Sequence, residues 1–210
     1  MSEPASHLLA AVRTMDRLRS PGGCPWDAEQ THTSLAPYLI EEAYETLEAI
    51  ELGDLAAMRE ELGDLLLQVL FHARLAEEAG PDQRFGIEDV AADLVAKLTR
   101  RHPHVFADRP VADAEAVAVN WEEIKQAEKQ RDSVTDGIPL GQPALSLAAK
   151  LVSRARRAGL PVAPPSGPGI GERLLALVDE AVAAGVDPEQ ALRRSARQYA
   201  ERIRDVEAAG

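Results

Sequence analysis

The stretch from Tyr38 to Gln68, YLIEEAYETLEAIELGDLAAMREELGDLLLQ, holds two helical periods separated only by a glycine and an aspartate. Gly53 reads as a helix C-terminus and Asp54 as the N-cap of the next helix. So short a joint leaves the two helices one arrangement, an antiparallel hairpin. Residues three apart on a helix are neighbours on one face, so Glu42/Glu45 and Glu61/Asp64 are two acidic pairs that the hairpin turns toward each other. With Leu39, Ala43, Leu47 and Ile50 as the apolar stripe of the first helix, Glu42 is the inward residue and Glu41 and Glu48 the solvated ones. The second helix is apolar nearly all round from Leu62 to Ala73, which predicts burial on most sides, against its own bundle and against a second subunit. Its polar exceptions, Glu61, Asp64, Gln68 and His72, fall on one line.

Other helices flank the hairpin. The pattern predicts one over residues 5–19, an irregular loop at CPWDAEQTH, and an N-cap at Ser34 that puts Pro37 in the first turn. The hairpin's second helix is expected to run to about Ala79, with further helices over 87–101, 114–131, 172–184 and 188–207. No strand-like alternation of useful length appears, and only 4% of the chain is aromatic, so the fold class is all-α, a helical bundle. The texture changes after residue 135, giving a domain over 1–135 and, over 136–210, a Pro/Gly-rich linker plus a degenerate second helical repeat without catalytic function. There GERLLALVDEA (Gly171 to Ala181) resembles GDLLLQVLFHA (Gly63 to Ala73), and Asp64, Lys97 and Arg101 overlay Glu172, Gln198 and Arg202. No second acidic helix accompanies that copy.

Charge and cysteine content narrow the function. A net charge of -12 repels nucleic acid and anionic membranes, so a polyanionic substrate has to be held through local cations. Cys24 stands alone, no signal-peptide core opens the chain, and no run reaches the roughly 20 apolar residues that span a bilayer, so a cytoplasmic location is expected. Like charges about 4 Å apart cost on the order of 4 kcal/mol at an effective dielectric near 20. Four carboxylates in one cleft therefore need protons or a cation, and oxygen donors without Cys or a placed His suit Mg²⁺ or Mn²⁺. His102 and His104 lack the third ligand a zinc site requires. A di-iron bundle wants a Glu-x-x-His motif from each of two helices; Glu29 stands three residues before His32, but Val69 takes that place before His72.

The blocks CPWD…QTH, EExxE…GD…EELGD, RRHPHVF and WEEIK closely resemble the MazG nucleoside triphosphate pyrophosphohydrolases of the all-α NTP pyrophosphatase superfamily. The likeness is dense over Leu8 to Arg131 and thinner beyond. It implies Mg²⁺-dependent cleavage of (d)NTPs between the α and β phosphates to NMP and pyrophosphate, in nucleotide-pool housecleaning; the nearly all-apolar second helix of the hairpin predicts a homodimer. The likeness also implies metal ligation by Glu42, Glu45, Glu61 and Asp64, and substrate contact by Lys97, Arg101, Trp121 and Lys125. Glu41 or Glu45 is left to accept the proton of the attacking water, and the sequence does not choose between them. Trp26 and Asp27 either frame a base pocket or anchor their loop. Rival readings are a dUTP or phosphoribosyl-ATP pyrophosphatase and a non-catalytic acidic helical scaffold.

Overall fold

In a computed structural model, the described residues are 6–107, 132–165 and 167–209, with isolated positions 113, 117 and 124. The helix expected over 114–131, with Trp121 and Lys125, lies outside them apart from Val117 and Ile124. Nine helices and no strand occur among the described residues. They fall into two compact units, Met1–Trp121 and Glu122–Gly210, a division somewhat ahead of the one drawn from sequence texture.

The first unit contains α1 (His7–Arg19), α2 (Pro25–Glu29), α3 (His32–Leu52), α4 (Leu55–Ala76), α5 (Ile87–Arg101) and α6 (Pro103–Phe106). Helices α3 and α4 form the hairpin. Gly53 takes the left-handed conformation at φ 70° and its N–H reaches back to Ile50, while the N–H of Asp54 donates to the Ala49 carbonyl at 3.0 Å. The Asp54 carboxylate then accepts the N–H groups of Ala56 and Ala57 at 2.9 and 3.0 Å. Two residues thus end one helix and start the next.

The segment expected as a loop is the short helix α2, begun by Pro25 at a position where the missing N–H costs nothing. Helix α3 starts earlier than the Ser34 reading: Thr31 is its cap, accepting from Ser34 N–H at 3.1 Å while Ser34 Oγ accepts Thr31 N–H at 2.9 Å. Pro37 consequently lies inside the helix, beyond the first turn. Helix α4 stops at Ala76 rather than Ala79, and α5 matches its expected bounds.

Helices α1 and α5 pack against α4. Met15, Leu35, Leu70, Phe71 and Leu75 form the core, with Ala11, Val12, Leu66 and Ile87 against them. Each fully buried Leu or Phe stabilises this unit by about 1.5–3 kcal/mol. A polar clasp closes the base of the bundle. Arg19, nearly buried, grips Glu78 through Nε and Nη2 at 2.8 and 2.9 Å and donates through Nη1 to the Asp27 carbonyl. Arg74 joins Glu78 to Asp16 at 3.0 and 2.8 Å.

The apolar stripe of α3 differs from the expected one. Leu35, Thr46 and Ala49 are buried and Glu42 is half-buried on their line, whereas Leu39, Ala43 and Ile50 are exposed. Helix α4 is likewise not covered all round, since Leu62, Leu67 and Val69 are exposed in the single chain. Both helices carry apolar residues on more than one face, and the rest of this unit leaves part of each uncovered.

The second unit contains α7 (Ala144–Arg157), α8 (Ile170–Ala183) and α9 (Pro188–Ala209), in mutual contact. Val152 and Val178 are buried, and Arg154 donates through Nη1 to the carbonyls of Val134 and Asp136 at 2.9 and 2.8 Å. No described helix of the chain is long and apolar enough to cross a membrane.

Candidate metal centre on the helical hairpin

The joint at Gly53 and Asp54 sets α3 and α4 side by side, and the three-residue spacings bring their acids to the shared seam. Carboxylate oxygens of Glu42, Glu45 and Glu61 lie within 4.8 Å of one another. Glu42 and Glu61 are half-buried and Glu45 is exposed. Asp64, one turn beyond Glu61 and half-buried, is not part of that close trio, yet it is the strongest of the charges acting on Glu42. Glu41 is exposed beside the cluster and is the weakest of those charges, in line with its solvated placement.

Electrostatics mark the cluster as short of positive charge. Burial, then Asp64, Glu45, Glu61 and Glu41, hold the Glu42 carboxyl above its ordinary range. Burial, then Glu45, Asp64 and Glu60, together with a hydrogen bond to Glu45, raise Glu61. Every one of these influences favours the neutral acid, and no cation appears among them. A divalent cation fits the donor set, because it would relieve the repulsion that now raises both groups, and oxygen-only ligands match the preference of Mg²⁺ or Mn²⁺.

The remaining expected residues are more scattered. Lys97 and Arg101 lie one turn apart on α5, which packs on α4; Lys97 is exposed and Arg101 half-buried. Trp26 on α2 is 51% exposed and meets Tyr38 of α3 and Phe71 of α4 edge-on, at centroid distances of 6.2 and 6.4 Å. Asp27 is buried in the first turn of α2. His102 Nδ1 meets the Leu98 carbonyl at 2.7 Å, and its ring tilts against that of His104.

Two polar residues on the seam escaped the sequence reading in part. Thr46 is buried with an unpartnered hydroxyl, one turn after Glu42. The i, i+4, i+7 run Glu42, Thr46, Ala49 was the signal for it. Gln68 continues the acidic line of α4, yet it is buried in the hairpin with Oε1 unpartnered.

Fold and site together define a class: an all-α protein whose polar centre is an oxygen-donor cluster on a helical hairpin. Comparison with known proteins then gives the family. Residues 30–106 match the MazG nucleotide pyrophosphohydrolase domain. The nucleoside triphosphate pyrophosphohydrolase/pyrophosphatase MazG of Thermotoga maritima is 41% identical, with 93% of this chain and 84% of that protein covered. An uncharacterized 26.1 kDa protein of Streptomyces cacaoi is 53% identical over 97% of this chain and 84% of its own length. The nucleoside triphosphate pyrophosphohydrolase of Mycolicibacterium smegmatis is 45% identical over 99% of this chain, which spans only 61% of that relative. A crystal structure of a mazG-related protein from Thermotoga maritima aligns with a TM-score of 0.45 at 29% identity, covering 58% of this chain and 99% of that one. The chain belongs to the MazG family.

Proposed function

We propose that this protein is a Mg²⁺-dependent nucleoside triphosphate pyrophosphohydrolase that cleaves (d)NTPs between the α and β phosphates, releasing NMP and pyrophosphate. The observation that carries the reading is the convergence of Glu42, Glu45 and Glu61, with Asp64 beside them, into one cluster starved of positive charge. The names of the Thermotoga and Mycolicibacterium relatives point to the same chemistry.

Glu42, Glu45, Glu61 and Asp64 would hold the metal. When bound there, a divalent ion supplies neutralisation of triphosphate oxygens and a lowered pKa for a water. Hydrolysis of a phosphoanhydride needs in-line placement and charge neutralisation more than covalent catalysis. Glu41 is the spare carboxylate: it stands next to the cluster without belonging to the close trio, and takes the proton of the attacking water. Lys97 and Arg101 clamp phosphate oxygens from one face of α5, and Trp26 offers an exposed indole on which a base stacks. Trp121 and Lys125 belong to this proposal through the family resemblance alone.

The exposed apolar residues Tyr38, Ile40, Leu62, Leu67 and Val69 on the hairpin favour a homodimer that covers them, and the reading includes that assembly and a housecleaning role in the nucleotide pool. Product analysis after incubation with mixed NTPs and Mg²⁺ tests the chemistry. Pyrophosphate and NMP support it, whereas orthophosphate, or no turnover with any nucleotide, removes it. Rates across a panel that includes dUTP and phosphoribosyl-ATP separate the related pyrophosphatases.

A further inference from the structure

His32 opens α3 and His72 lies near the end of α4, so the two meet where the hairpin is open, opposite its Gly53 turn. Their Nδ1 atoms are 2.8 Å apart. The ring planes differ by only 5°, and the ring centroids stand 5.1 Å apart. That separation equals the nitrogen gap plus the two ring radii, the largest value such a gap permits. The rings therefore meet edge to edge in one plane, each nitrogen aimed at the other.

Each Nδ1 has one in-plane position, occupied by a lone pair or by an N–H. Head-on contact at this distance holds one proton. With none, two lone pairs oppose; with two, N–H meets N–H. A shared metal ion is incompatible with the same geometry, because nitrogens about 2.0–2.1 Å from a metal on a straight line stand about 4 Å apart.

Burial decides which ring owns the proton. His72 Nε2 is buried without a partner, whereas His32 is exposed. A buried orphan N–H is rarer and costlier than an under-used acceptor. His72 therefore carries its proton on Nδ1 and donates it to His32, and His32 keeps its Nε2–H toward water.

We propose that His32 and His72 form a one-proton clasp on the open end of the hairpin, which acidification opens once both rings are charged. Glu42 and Asp64 lie between the turn and this clasp, so its release loosens the hairpin that carries the acidic cluster. The inference does not rest on the proposed hydrolase activity.

Glu29, the last residue of α2, stands three residues before His32 in the chain. Burial first, and then His32, hold His72 below the ordinary histidine range, and no carboxylate acts against them. Beside His32, Thr31, Ser34 and Gln30 satisfy one another. On the elements packed against α4, Asp16 of α1 pairs with Arg74, and Asp89 of α5 accepts Gly86 N–H. Beyond the end of α4, Glu77 turns to Arg74, and Glu78 to Arg74 and Arg19. The negative end of α4 favours a cation at His72, against its burial. A histidine lowered in the folded state contributes fully above its unfolded value, and the contribution is lost as pH falls below it.

Long-range ¹H–¹⁵N NMR of the full chain at pH 7.5 reads the tautomers, with His32→Asn and His72→Asn supplying the assignments. The expected spectrum shows His72 protonated on Nδ1 and His32 on Nε2. Melting of the metal-free chain at pH 7.5 and 5.5 reads the clasp. The wild type should lose roughly 2–4 °C more than either variant over that interval, and the double variant should match the singles. Both rings protonated on Nε2 at pH 7.5, or an equal pH-dependent loss in wild type and variants, overturns the proposal. Should His72→Asn fail to fold, His32→Asn at the exposed position carries the same comparison.

Discussion

Glu45 on α3 and Glu61 on α4 bring carboxylate oxygens within 4.8 Å of each other across the hairpin, and with burial the Glu45 charge holds Glu61 toward its neutral acid. Glu42 completes the trio within 4.8 Å, and the residues at greatest electrostatic disadvantage are also those best placed to hold a metal.

Replacing Glu42 by Gln should lower NTP hydrolysis by more than about 100-fold, a larger loss than the 10–100-fold of changes one step removed from a metal. The metal-free variant should melt at or above the wild-type temperature, since one member of a repelling set is gone. Steady-state assays with Mg²⁺ and melting in chelator check the two halves, and a variant that loses activity only because it unfolds would melt lower.

Proton and metal should compete at this cluster. Glu42 and Glu61 are raised, so over the interval above their unfolded value of 4.5 the folded chain holds protons that the unfolded chain has lost. The metal-free protein therefore gains stability from these groups as pH falls through their folded-state values toward 4.5. Binding of Mg²⁺ should release protons, increasingly so as pH is lowered from neutrality. Titration calorimetry in buffers of different ionisation enthalpy measures the release, and buffer-independent heats would contradict it.

The clasp at the base of the bundle has the opposite sign. Arg19 hydrogen bonding, then the charges of Arg19 and Arg74, outweigh burial and hold Glu78 below its ordinary range. Its contribution is present above the unfolded value of 4.5 and disappears as pH falls through the lower folded value. Glu78→Gln should cost about 1–2 kcal/mol at pH 7, the worth of a charged hydrogen bond discounted for the partial exposure of Glu78. Urea unfolding at pH 7 and pH 3 should show the difference from wild type at the first pH and little of it at the second.

At the turn, Gly53→Ala should destabilise by about 1–2 kcal/mol. Its φ of +70° is the cause, because nothing lies within 4 Å of an added Cβ. Asp54→Ala removes the two N-cap hydrogen bonds for about 1 kcal/mol. Chemical denaturation of the two variants separates the backbone cost from the capping cost.

The hairpin and its acids were legible because each rests on local chemistry: a glycine that ends a helix, an aspartate that starts one, and carboxylates three residues apart. The inward placement of Glu42 was legible too, although the stripe chosen for α3 was not the buried one. Leu39 and Ile50 are as apolar as Leu35, and only the packing partners decide which face is covered. Helix α2 is five residues long, too short to show a period. Thr31 and Ser34 both suit an N-cap, and the reciprocal bond between them settles the choice. The meeting of His32 with His72 could not be read from spacing, because it depends on the register of two helices 40 residues apart in the chain at that point.

The two-residue joint also bears on how such a centre is inherited. Everything that gathers negative charge here lies between Glu41 and Asp64. A genetic rearrangement that moves this one short segment carries the whole assembly with it. A copy truncated ahead of Gly53 carries acids with nothing opposite them.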